Sequence, residues 1–196
     1  MTRSRNNNNM PNPLLEKHDL PPFSRITAAH VEPAIGQLIE RNKKAIDKLL
    51  ASRSDYSWDN LLQQVEELED GLAQAWSPVS HLNSVSNSEE LRAAYNRCLP
   101  LLSEYGTWMG QHVGLYQAYQ QIADSEAFAA LDEARQKAID NALRDFRLAG
   151  VALPPDEQQE YARLRKQLAE LGSKFSDNVL DATNAWSKQV TADRLR

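Results

Sequence analysis

The sequence predicts an all-α protein: antiparallel helical hairpins with one long C-terminal helix. Two observations carry this. Apolar residues recur at spacings of three and four through five long segments, with no competing strand-period alternation. Glycine and proline number only seven and nine in 196 residues, which favours long regular elements over frequent turns.

The elements follow in order. Residues 1–23 read as a flexible tail. Its first nine, MTRSRNNNN, resemble an extension or a cloning scar, and Pro21 and Pro22 stop a helix from running through its end. The helical region spans 24–191. Its first helix opens on Thr27, a good N-cap, and lines up Val31, Ile35, Leu38, Ile46 and Leu49. Ser52 to Tyr56 makes a turn. The second helix opens at Ser57 and carries Trp58, Leu61, Leu62, Val65, Leu68, Leu72 and Trp76 on one face.

The stretch SPVSHLNSVSNSEELRAAY, Ser77 to Tyr95, reads as the corner of a hairpin. Pro78 is expected to perturb the helix before it, and Asn87 or Ser88 to start the next. The third run carries Leu91, Tyr95, Cys98, Leu102, Tyr105, Trp108, Met109, His112, Tyr116 and Tyr119. Pro100, Gly106 and Gly110 predict either one bent helix or two consecutive ones. The fourth runs from about Ser125 to Leu148, and Gly150 is placed to end it in the left-handed region. The fifth runs from about Pro155 to Trp186. Tyr161, Leu164, Leu168, Leu171 and Phe175 make its stripe, continued by Val179, Ala182 and Trp186. At 1.5 Å per residue it is a rod of roughly 45 Å that needs partners along its length. Residues 192–196 read as a truncated end.

Composition narrows the function classes. A net charge of −5 argues against a general nucleic-acid binder, which needs a basic surface to displace counterions. No apolar run approaches the roughly 18 residues of a membrane span. The single cysteine, Cys98, forms no internal disulfide and no thiolate cage, which fits a reducing compartment and a cytoplasmic location.

The search for chemistry returns no site. A His-Glu-x-x-His helix would place two imidazoles and a general base on one face. None of His18, His30, His81 or His112 has that context or a second histidine within a turn. His112 sits beside Trp108 and Tyr116 and reads as a satisfied core or interface residue. His30 reads as a first-turn helix residue and His18 as part of the tail. His81 has polar neighbours near a bend and reads as a hydrogen-bonding partner of a helix end. Cys98 lies within a stripe, where a buried thiol is inert. The acidic run Glu66, Glu67, Glu69 and Asp70 lacks the glycine turn of a calcium loop and reads as a solvated face. No GxSxG elbow and no phosphate cradle occurs.

Six segments in order carry a resemblance: NPLL (12–15), LPPFSRITAAHVEPAI (20–35), SPVSHLNSV (77–85), LPLLSEYGTWMGQHVGLYQAY (99–119), NALRDFRLAGVALP (141–154) and LGSKFSDNVLDATNAW (171–186). Together they resemble the N-terminal part of the thimet-oligopeptidase family of zinc metallopeptidases, in its bacterial oligopeptidase A branch. The likeness runs from about Met10 to Thr191. It implies a larger, mostly helical fold around a deep channel, with zinc at the base held by a His-Glu-x-x-His helix and a glutamate of a following helix. Those elements belong to the later part of the family's chain. The resemblance therefore assigns no catalytic, metal or substrate-channel residue here, and zinc only to the full-length enzyme. It implies a channel wall that admits short peptides, including signal-peptide fragments, and is inactive without a C-terminal catalytic part. The alternative is a stand-alone helical module that binds peptides or proteins through a face including Phe175, Val179 and Trp186. A channel-facing role for His81 or Asn83 is a further expectation.

Overall fold

A computed structural model describes residues 12–191 and residue 194. The expected extension at 1–9 and most of the expected truncated end lie outside the described residues. Six α-helices follow one another: α1 Ala28–Ala51, α2 Gln63–Val85, α3 Glu89–Gly110, α4 Val113–Ala123, α5 Glu133–Leu148 and α6 Pro155–Ala185. The described residues contain no strand.

The segment expected as flexible tail is docked from residue 12 onward. Asn12 Oδ1 accepts the Leu14 amide at 3.1 Å, and Asn12 Nδ2 donates to the His30 carbonyl at 2.8 Å. This turn places Leu14, 7% exposed, in the core. The physical reason is an Asx-type turn that satisfies the backbone locally while delivering one leucine.

Helix starts follow the capping rules. At α1, Thr27 is the N-cap, and its amide donates to Nδ1 of His30 at 3.1 Å. Ser57 opens a short π-type segment, Trp58–Leu62, that leads into α2, with Asn60 returning the bond to the Ser57 amide at 3.0 Å. At α3 the choice falls on Ser88, whose hydroxyl accepts from Leu91 at 3.2 Å. The fourth helix is shorter than expected. Residues Glu126–Ala130 form a 3₁₀ turn, and α5 begins only after Asp132, which accepts the Arg135 amide at 2.9 Å. The side chain of Gln136 also donates to the carbonyls of Phe128 and Leu131, holding that turn out of the helix.

The corner at Ser77 to Tyr95 is smaller than expected. Helix α2 runs through Pro78 to Val85, and only residues 86–88 turn. Proline removes one helical donor and frees the carbonyl of residue 74, which lies on the exposed side. The ring itself is buried, so its packing offsets that loss. The third run resolves into two helices, parted at Gln111 and His112, while Pro100 lies within α3. Two glycines are dictated by geometry. A Cβ at Gly110 would lie 2.5 Å from Cβ of Ala149. Gly150 has φ +83°, and it closes α5 as a Schellman motif: its amide reaches the Arg147 carbonyl and that of Val151 reaches Phe146, each at 3.1 Å.

Burial organises helices α1 to α5 into two adjoining apolar clusters. The first joins the N-terminal half of α1 to α2 and α3, through Ile35, Val79, Ala94 and Cys98. The second joins the C-terminal half of α1 to the start of α2, α4 and α5, through Ile46, Leu61, Leu115 and Ile139. Trp108 and Met109 border both. No residue of α6 is buried.

Candidate functional site

The histidines prove to be parts of the scaffold. His30 caps α1. His112 is the N-cap of α4: its Nδ1 accepts the Leu115 amide at 3.1 Å, which assigns the ring proton to Nε2, 3.4 Å from Asp47. Trp108 meets its ring edge-on at 4.9 Å. His18 lies 3.2 Å from the Pro13 carbonyl. His81 is exposed and packs on Phe23, with ring centroids 5.5 Å apart. Asn83 receives the Asn87 amide on both its carbonyl and its side-chain oxygen, at 2.8 and 2.9 Å, which closes the 86–88 corner. Among the described residues no group of three or more His, Cys, Asp or Glu could hold a metal. These donors do not fit the zinc centre that the resemblance implies for the full-length family.

Other reactive side chains are locked in the interior. Cys98 is fully buried, and burial, with Glu32 adding to it, pushes its thiol up to about 11. It therefore fills space rather than acting as a nucleophile. Where the two apolar clusters meet, Asn42, Glu69 and Tyr105 bring together α1, α2 and α3. Asn42 is wholly buried; its Nδ2 donates to the Leu68 carbonyl at 2.9 Å and its Oδ1 has no partner. The Tyr105 hydroxyl donates to Glu69. Burial raises the Glu69 carboxyl above its ordinary range, opposed by the Tyr105 bond and reinforced by Glu66. Burial and the same hydrogen bond raise the Tyr105 phenol. The group lacks a free nucleophile, and its role is to set the register of three helices.

One open groove of about 820 Å³ separates the N-terminal segment from α1 and α2. Glu16, Asp19, Arg41, Glu67 and Asp70 line it with charges of both signs.

The feature with no internal explanation is α6. Its half-buried residues Ala169, Ser173, Asp177 and Leu180 recur at three to four, and Ser173 and Asp177 bond to α3. The contact is a polar seam. Arg92 donates to both carboxylate oxygens of Asp181, at 3.1 and 2.9 Å. Asn96 donates to Asp177 at 3.1 Å and accepts from Ser173 at 2.8 Å. Lys166 reaches Glu104 at 3.1 Å. Half a turn away, the apolar row faces water: Leu168 is 62%, Phe175 71% and Trp186 72% exposed. Exposed ion pairs are worth about 0–1 kcal/mol each. Covering one such apolar side chain is worth about 1.5–3 kcal/mol. The stronger driving force of this helix is thus unused within the chain.

The row was legible from the spacing of its leucines. The seam was not singled out from the sequence, although Ala169, Ser173 and Asp177 recur every four residues opposite that row. The Asn42 group was missed as well, because a polar residue within an apolar stripe has no local signature.

Comparison with known proteins gives these features a context. The N-terminal domain of neurolysin/thimet oligopeptidase matches residues 35–159. Oligopeptidase A of Escherichia coli is 50% identical over 182 residues, covering 93% of this chain and 27% of that protein. Oligopeptidase A of Salmonella typhimurium matches to the same extent. The probable cytosolic oligopeptidase A of Arabidopsis thaliana is 34% identical over 180 residues, 92% of this chain and 26% of that protein. The chain spans about a quarter of the length of the curated relatives it matches.

Proposed function

Because the chain belongs to the neurolysin/thimet oligopeptidase family, as the N-terminal domain of an oligopeptidase A, we propose that it is the helical wall of a cytosolic zinc oligopeptidase. In this reading it narrows access to a catalytic centre carried by the remainder of the enzyme. Short flexible peptides, signal-peptide fragments among them, pass; folded proteins do not. Selection then occurs by shape before any contact with the scissile bond. When bound, zinc would supply Lewis-acid activation of water for peptide hydrolysis. This chain's own part is positional: α1 to α5 pack around two adjoining cores, which suits them to hold a fixed aperture.

The supporting observation is the asymmetry of coverage, 93% of this chain against 27% of the relative, together with histidines that are already occupied as caps and packing partners. The chain alone should not hydrolyse peptides. The test is to add Zn²⁺ to the purified chain and follow a quenched fluorescent oligopeptide. Cleavage that a chelator abolishes would overturn the reading. A second test is a chimera in which this chain replaces the matching first quarter of the Escherichia coli enzyme. The chimera should cleave the short peptide and spare a folded protein carrying the same sequence in an exposed loop.

A further inference from the structure

Helix α6 lies along α3. The match to the N-terminal domain ends at residue 159, in the opening turns of this helix, which continues to Ala185. Past that point α6 touches its own body through the α3 seam and contributes nothing to either apolar cluster. Its outward row, Leu164, Leu168, Leu171, Phe175 and Val179, is continuous over roughly 23 Å, and exposed Trp186 follows at the helix end. The first four members alternate at spacings of four and three, the period at which one helix packs lengthwise on another.

We infer that this row is a docking surface for a helix of the catalytic remainder, the part of the family enzyme outside the matched quarter; the inference rests on the reading above. One observation favours that occupant over a second copy of this chain. The relatives carry about three quarters of their length beyond the matched part, so a large covering body exists for them. The seam gives the surface its specificity. Arg92, Asn96 and Lys166 hold α6 with its apolar side outward, so the helix meets its partner already oriented and the ordering cost of docking is reduced.

The experiment uses the double variant Leu168→Glu plus Phe175→Glu, which keeps good helix formers at both positions. In the chain alone, sedimentation should show a monomer, and the variant should melt within about 2 °C of the parent, since both side chains are already in water. In the chimera, the same two substitutions should lower the melting temperature by several degrees and speed amide exchange in α6. A dimer of the chain alone that the variant dissolves would overturn the inference in favour of a second copy. An unchanged melting temperature in the chimera would overturn it, as would a chimera with the native row that fails to assemble. The two readings separate cleanly. A shifted melt in a chimera that cleaves no peptide keeps the docking surface and removes the channel wall; selective cleavage with no shift does the reverse.

Discussion

Helices α1 and α6 are the two longest in the molecule, and both are amphipathic, yet they are used in opposite senses. Helix α1 turns Val31, Ile35 and Ile46 inward to complete burial, and both apolar clusters are built on it. Helix α6 turns its leucines and Phe175 outward and meets α3 through carboxylates, amides and a serine. An apolar stripe announces a contact without saying where the contacting partner is. In α1 the partner lies within the same chain. In α6 the chain supplies only the positioning.

Truncating each stripe separates the two helices most strongly. Ile35→Ala removes a side chain with no exposure and should cost about 2–5 kcal/mol in urea unfolding, whereas Phe175→Ala should change stability by about 0.5 kcal/mol or less. Equal losses would mean that α6 is part of the same core. A smaller effect is expected at the contact between α3 and the end of α5. Gly110→Val would drive a side chain into Ala149 and should cost about 1–3 kcal/mol by the same measurement, leaving α6 amide exchange no faster than the loss of global stability explains.

Glu69→Gln probes the polar group between the two clusters. The folded protein raises the Glu69 carboxyl, so it binds that proton more tightly than the unfolded chain does. Wild-type stability therefore falls as pH rises from the ordinary carboxylate range through the folded value. Glutamine keeps an acceptor for Tyr105 and removes the half-buried charge. The variant should be at least as stable as the parent at neutral pH, with a flatter stability profile across that window. A steeper profile would contradict the assignment. The smallest global effect is expected from Arg92→Ala. Loss of an exposed pair should change unfolding free energy by about 1 kcal/mol or less. Amide exchange in α6 should nonetheless accelerate while that of α1 stays constant. Equal acceleration in both helices would show that the seam belongs to the common core.

Residue by residue, the local features were the most legible. Thr27 as a cap, Gly150 as a left-handed stop and the breaks around 52–56 and 149–154 follow from short-range chemistry. The errors came where local rules met packing. Pro78 reads as a disturbance, yet buried contacts around its ring carry α2 through to Val85. Ser125 reads as a helix start, yet the start passes to Asp132 because Gln136 holds the preceding turn open. Asn12 and Leu14 read as tail, yet one buried leucine anchors them. His81, the most suspicious residue in the sequence, has Phe23 as its aromatic neighbour in the fold, 58 positions earlier in the chain.

Helicity, most helix starts, the side chains of each apolar stripe and the family likeness are all legible in the amino-acid order. Those properties depend on backbone propensity, capping and a period of 3.6, all of which act within a few residues. Which stripes meet one another is settled by packing in three dimensions, and it is the fold that shows it. It paired α1 with α2 and α3 in one cluster and with α4 and α5 in the other, placed Asn42 beside Glu69 and Tyr105, and turned the apolar side of α6 to water. The reason is physical: burial is non-directional and carries no address, so the orientation of α6 is set by a handful of directional polar contacts to α3 whose partners lie far away in the sequence.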